Sequence, residues 1–273
     1  MELDLKYLLG VAKHAALKAG KIINGSLGKE LNVQLKGEGF SLAASVVTEV
    51  DLLAQSAIFE VLKKSIERFD LGLLSEEQLD NKSRFVKDFF WCVDPLDGTL
   101  PFTEQVEGYS VAIALVSKIG TPVLGVIYDP FRNNLYEAKV GGGVFKNEVP
   151  YQVERSKNQF TFITDRSFMK TEYFDGFIYK LKLVAKEKGF NDFKIIANGG
   201  ASMNAMWVLE HAPAAYIKLP KTLEGGGGLW DFAASVCIFS ELNLKATNYA
   251  GGKLDLNRID SIFMNHEGVW FES

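Results

Sequence analysis

Residues 91–100 read WCVDPLDGTL, an apolar run that delivers Asp94 and Asp97, with Pro-Leu between them, and then Gly98 and Thr99. A carboxylate taken out of water is costly unless a cation or a hydrogen-bond donor meets it. Two at the end of one apolar run call for a metal ion. Hard divalent cations such as Mg²⁺ take carboxylate and carbonyl oxygens and leave positions for water and substrate phosphate. Further acids sit at predicted element ends and not on solvated helix faces: Glu76 and Glu77 after LGLLS, and Asp231 at the start of LWDFAAS. Two ions about 3.5–4 Å apart would clamp the attacking and leaving oxygens of an in-line displacement at phosphorus, with Asp94 and Asp97 shared between them. A helix beginning at Gly98-Thr99 would present free N–H groups and its positive dipole end to a phosphate. Gly98 permits close approach, Pro101 suits a first helical turn, and the Thr99 hydroxyl can hold the attacking water.

Taken singly, most of these residues have ordinary explanations. Glu76-Glu77 is a common loop pair, Asp231 reads as a helix cap, and Asp51 as a favourable acid in a first turn. DPLDGT resists that treatment, because capping accounts for one aspartate and leaves the other facing the same turn. In the rival DxD motif of haloacid-dehalogenase-type phosphatases the acids are two apart; here they are three apart and the first precedes proline. The sequence has no GxxxxGK[ST] and no GxSxG, and His14, His211 and His266 lie outside any zinc spacing. Cys92 and Cys237 read as buried, reduced thiols.

The elements that must position these groups are legible from periodicity. Apolar residues at helical spacing over Leu3 to Ile23 predict a first helix that stops at Asn24-Gly25. LNVQLKG alternates like a short strand. The stretch 46–69 reads as a second helix, with Thr48 as candidate N-cap, Asp51 in its first turn, and Leu52, Leu53, Ile58, Val61, Leu62 and Ile66 as the buried stripe. Six strand-like runs then extend to Asn147, which predicts an α+β half with helices on one face of a mainly antiparallel sheet. From about Phe160 strands and helices alternate, as in an α/β half. Polar residues cluster over 151–158, so the expected division is 1–152, carrying the metal and phosphate site, and 153–273, supplying one metal ligand and substrate specificity.

With 273 residues, 47% of them apolar, the chain can bury a substantial core. A net charge of −4 without a basic run argues against a nucleic-acid polymer as partner. The N-terminal segment is broken by Lys6, Lys13 and Lys18 before it reaches the length of a signal or membrane span, so a cytoplasmic protein with no membrane partner is expected.

The order and spacing of VVTEVD (46–51), LSEE (74–77), WCVDPLDGT (91–99), GVIYDP (125–130), GGGVFKN (141–147) and LWDFAAS (229–235) resemble the inositol monophosphatase superfamily over nearly the full chain. These are magnesium-dependent, lithium-sensitive phosphatases that include inositol monophosphatases, 3′(2′),5′-bisphosphate nucleotidases and fructose-1,6-bisphosphatases. The resemblance implies a layered α-β-α-β-α sandwich and hydrolysis of a phosphate monoester of a small polyol or nucleotide. It implies two to three Mg²⁺ ions on Glu76, Asp94, the Leu96 carbonyl, Asp97 and Asp231. Gly98 and Thr99 would bind phosphate through backbone N–H groups, and Thr99 with Glu76 would orient the nucleophilic water, supported by Asp51 and Glu77. Ser202, Lys218 and the loop 221–228 are candidate readers of the substrate. Leu100-Pro101-Phe102 departs from the inositol phosphatases, which usually have Asn before the Phe, and YIKLP with its long loop into GGGGLWD looks like the nucleotidase branch. The alternative, a non-catalytic metal- or phosphate-binding member, should have lost a carboxylate or Thr99, and all are present. The expected partner is a small phosphorylated substrate; a homodimer is left open.

Overall fold

The computed structural model describes residues 3–29, 33–35, 46–223, 225 and 227–273. Helix α1 (Leu5–Ser26) is capped by Asp4, whose carboxylate accepts the Tyr7 N–H at 2.9 Å. It runs past the expected stop because the left-handed glycine is Gly28, at φ 75°, and not Gly25. Strands β1 (Val33–Leu35) and β2 (Val46–Thr48) pair antiparallel. Helix α2 (Glu49–Phe69) follows at once, so Val46 and Val47, read as part of this helix, belong instead to the strand paired with β1; the side chain of Thr48, its expected N-cap, lies outside the described residues. The buried ladder of α2 is Val50, Ala54, Ile58 and Leu62, with Asp51 and Gln55 beside it. Leu52 and Leu53 are 50% and 53% exposed, contrary to the expected stripe. At 100° per residue they lie off the face defined by the i+4 ladder.

The large sheet contains β3 (Gly72–Ser75), β4 (Phe89–Asp97), β5 (Ser110–Ser117), β6 (Pro122–Asp129), β7 (Asn134–Lys139), β8 (Val144–Lys146) and β9 (Val149–Pro150), in that spatial order. All pairs are antiparallel except β3 with β4. The smaller sheet has β10 (Gln159–Ile163) between β11 (Asp192–Ile196) and β12 (Ala214–Lys218), continued antiparallel by β14 (Val269–Glu272) and β13 (Lys245–Thr247). The last two strands are short, and their sequences carry no strand pattern strong enough to have been read.

Side-chain alternation sorts the layers. Trp91, Val93, Val111, Ile113 and Leu115 pack against α1 and α2. Their neighbours Phe90, Cys92, Ala112, Ala114 and Val116 face a core shared with α5 (Ala201–Glu210), α6 (Leu229–Glu241) and the inner face of the small sheet. Both faces of β4 and β5 are buried, so their sequences read as unbroken apolar runs. Gly125 lets α6 lie close on the sheet, since a Cβ there would meet the Ala234 carbonyl oxygen at 2.6 Å. Helix α4 (Phe174–Glu187) covers the outer face of the small sheet through Ile178, Phe162 and Ile217. The result is helix, sheet, helix, sheet, helix, with one central core drawing on both segments of the chain. Among the described residues no helix is long and apolar enough to cross a membrane. Cys92 and Cys237 are free and buried, and burial pushes both thiols up.

Candidate active site

Strand β4 continues into the acidic hexapeptide as far as Asp97 instead of ending before it. Asp94 lies opposite Ala112 of β5, while Asp97 lies opposite Ser110, so three steps on β4 match two on its partner. Pro95 has no N–H to offer the ladder, and one residue bulges out. Residues three apart on a regular strand point to opposite faces. The bulge cancels one step, and both carboxylates turn to the same side.

Gly98 follows with φ 84°, and a Cβ there would meet the Gly108 carbonyl at 2.6 Å and the Gly200 nitrogen at 3.2 Å. Only glycine fits that close approach. Helix α3 (Thr99–Thr103) starts directly after it, with Pro101 in its first turn as expected. Thr99 is buried, and its hydroxyl stands 3.2 Å from Asp51 Oδ1 and 3.3 Å from the Leu96 carbonyl.

The second half of the chain closes on this turn. Asp97 accepts the backbone N–H groups of Ala201 at 3.0 Å and Ser202 at 2.7 Å, the first turn of α5. Gly200 makes room, since a Cβ there would lie 2.4 Å from Asp97 Oδ1. Asp231 occupies the third position of α6 and caps it by accepting the Gly228 N–H. Oxygens of Asp94, Asp97 and Asp231 all come within 4.8 Å of one another. The N-cap of α6 is thus Gly228 and not Asp231, which sits at the third helical position and also belongs to the acidic cluster. Ser202, expected to read substrate, is fully buried, and its hydroxyl donates to the Asp231 carbonyl at 2.9 Å. Its place in the structure is a tie between Asp97 and Asp231.

Glu76 and Glu77 follow β3. The Glu76 N–H donates to the Val93 carbonyl at 3.2 Å. Gln55 of α2 grips both sides of this corner, donating to the Glu77 carbonyl at 3.2 Å and accepting from the Ser75 hydroxyl.

The electrostatics of the cluster are those of acids without enough positive charge. Burial, then the charges of Glu76, Asp231 and Asp97, hold the Asp94 carboxyl well above the usual range. Burial raises Asp97 to about 6 even though the Ser202 and Ala201 N–H groups favour its charged form. Asp231 is raised by burial and then by Asp97 and Glu76, with Lys218 opposing. Asp94 Oδ1 accepts the Leu96 N–H at 3.1 Å, whereas buried Oδ2 finds no donor among the described residues. An all-oxygen donor set with an orphaned buried carboxylate oxygen fits a hard divalent cation.

Lys218, at the end of β12, is paired with Asp165 at 2.7 Å. Burial works against its charge, but Asp165 outweighs it and the amine is raised. Asp165 also accepts from the Tyr216 hydroxyl at 3.0 Å and the Asn204 amide at 3.4 Å. Sequence reasoning missed Asp165, although it directly follows the strand run FTFIT and so obeys the rule that found Asp94. Of the loop 221–228, Glu224 and Gly226 lie outside the described residues.

The family model described as the inositol monophosphatase family matches residues 4–271. An inositol-1-monophosphatase of Synechocystis is 30% identical over 261 residues, covering 93% of this chain and 83% of its own. The Nus factor SuhB of Escherichia coli is 28% identical over 251 residues, covering 90% of this chain and 86% of its own. Among solved structures, an inositol monophosphatase from Anabaena superposes with a TM-score of 0.71 at 22% identity, covering 99% of this chain and 92% of that one. That likeness concerns the fold. The match of the family model, running from before the first helix to the last strand, takes in every acidic residue of the cluster, and the chain belongs to the inositol monophosphatase family.

Proposed function

We propose that the protein is a Mg²⁺-dependent phosphatase that hydrolyses a phosphate monoester of a small polyol or nucleotide with water as the nucleophile. The observation that carries this reading is the convergence of Asp94, Asp97 and Asp231 beside the Thr99–Asp51 hydrogen bond. Glu76, Asp94, the Leu96 carbonyl, Asp97 and Asp231 would hold two to three ions. When bound, these ions supply charge that offsets the phosphate and acidifies a water molecule.

The remaining work falls to the chain itself. Gly98 and Thr99 offer backbone N–H groups to the phosphate, as the first residues of a helix whose N–H groups have no intrahelical acceptor. The Thr99 hydroxyl, with its proton directed to Asp51, keeps its lone pairs for a hydrogen of the attacking water. Asp51 is then placed to draw that proton onward, and Glu77 supports the site from the adjoining corner. Burial excludes competing solvent from Asp94 and Thr99.

Lys218 and the loop 221–228 would read the leaving group. Lys218 is a cation whose charge reaches Asp231. It favours a leaving group with a second negative charge, which a bisphosphate nucleotide has and an inositol monophosphate lacks. The test is phosphate release from inositol phosphates, 3′-phosphoadenosine 5′-phosphate and fructose 1,6-bisphosphate, with Mg²⁺ and with chelator. Release that persists in chelator would overturn the mechanism. Mg²⁺ binding without release from any of them would favour the non-catalytic alternative.

A further inference from the structure

The connection from β3 to β4 carries Glu76 and Glu77, yet much of it projects into solvent. Leu79 is 94% exposed and Val86 is 70% exposed. What anchors it at depth is Arg84, one of the largest fully buried side chains of the protein. A guanidinium out of water is stable only when its donors are matched. Arg84 Nε donates to Asp80 at 2.7 Å, and Nη1 donates to Asn257 Oδ1 at 2.8 Å and to the Arg258 carbonyl at 2.9 Å. Asn257 answers with its own amide, donating to the Arg84 carbonyl at 3.1 Å and the Lys118 carbonyl at 2.8 Å. A single asparagine thus holds both the side chain and the backbone of Arg84, across 173 residues of sequence.

The geometry of this clasp has a direction. Asn257 belongs to the same part of the chain as Asp231, while Asp80 and Arg84 belong to the loop that carries Glu76. The loop is therefore held at both ends, by Gln55 next to Glu76 and by Asn257 beyond Asp80. Glu76 is tied to β4 immediately before Asp94, since its N–H donates to the Val93 carbonyl at 3.2 Å. A planar fork with donors in several directions suits this junction; an ammonium would make one point contact.

We propose that the Asp80–Arg84–Asn257 clasp is a positioning device that sets Glu76 against the acids contributed by the rest of the chain, and with it the affinity for metal. This rests on Glu76 being a metal ligand, as proposed above. Mn²⁺ is a suitable probe, followed by calorimetry and by its electron paramagnetic resonance signal, alongside hydrogen exchange of residues 76–83 in chelator. Asn257→Ala and Asp80→Asn should weaken Mn²⁺ binding about 10-fold or more, the scale of outer-sphere partners that orient ligands. The same variants should speed exchange over 76–83 in metal-free protein. Lys13→Met breaks a partly buried ion pair to Glu137, 2.8 Å long, on the other side of the large sheet. It should lower the melting temperature while leaving metal affinity and the exchange of 76–83 unchanged. The clasp is merely structural if Asn257→Ala and Asp80→Asn lose melting temperature but bind Mn²⁺ as the parent does. Arg84→Lys is an additional arm where it folds, expected to weaken Mn²⁺ binding like Asn257→Ala. Asp94→Asn separates the two readings: unchanged Mn²⁺ binding in that variant would overturn the metal centre, and the clasp's role with it.

Discussion

The Thr99 hydroxyl lies 3.2 Å from Asp51 Oδ1, joining the start of α3 to the first turn of α2 across 48 residues. Asp51 is almost fully buried, and it and the Leu96 carbonyl, at 3.3 Å, are the acceptors offered to the hydroxyl proton. Thr99→Ala should lower kcat by about 10²-fold or more with little change in KM, as a lost positioning group does. Thr99→Ser keeps the hydroxyl and should keep most of the rate. Steady-state kinetics of both variants decides; equal impairment would remove the water-orienting role.

Asp94→Asn should reduce turnover by several orders of magnitude at saturating Mg²⁺ and yet raise the melting temperature of the metal-free protein near pH 7. The physical reason is that the buried carboxyl is strained by burial and by three neighbouring acids when no cation is present. A variant that kept a tenth of the parent rate would make the carboxylate structural.

The raised acids also predict the pH dependence of stability. Asp97 is raised from 3.8 to about 6, so between these values the folded metal-free protein binds more protons than the unfolded chain. Stability from this group is present below the unfolded value and is lost as pH rises through about 6. Thermal melts run with Mg²⁺ and, separately, with chelator should show Mg²⁺ adding more stability at pH 7.5 than at pH 5. The opposite order would contradict the assignment.

Ser202 and Lys218 should behave differently. Ser202→Ala removes the bond to the Asp231 carbonyl, costing about 1 kcal/mol of stability and weakening Mg²⁺ affinity, with all substrates affected alike. Lys218→Met should instead change the ratio of rates between nucleotide and inositol substrates. A substrate panel measured with both variants tests the distinction.

Gly200→Ala would place a Cβ 2.4 Å from Asp97 Oδ1. Such overpacking costs about 1–3 kcal/mol. Because α5 must retreat from Asp97 to relieve it, both the melting temperature and Mg²⁺ affinity should fall, and normal affinity would show that the α5 N–H groups do not hold the carboxylate.

Most elements, though not β13 and β14, were legible in the sequence, since helix and strand periodicity, Asp51 in a first turn and the acids at strand ends are short-range properties. The carboxylates carried by LSEE, DPLDGT and LWD raised the expectation of a cation for the same reason: acids taken out of water need a counter-charge wherever they meet. How they meet belonged to the tertiary structure. The bulge that turns Asp94 and Asp97 to one side exists only against β5, with its pairing to Ala112 and Ser110. The donation from α5 to Asp97 spans more than 100 residues, and Ser202 changed from a reader of substrate to a buried tie because α6 lies beside it. Leu52 and Leu53 are apolar enough for a core, yet the face of α2 that the large sheet covers begins at Val50. Periodicity measures the angle between neighbours along one element, while packing selects which angle faces inward. That selection depends on partners from other parts of the chain, which no local pattern of residues contains.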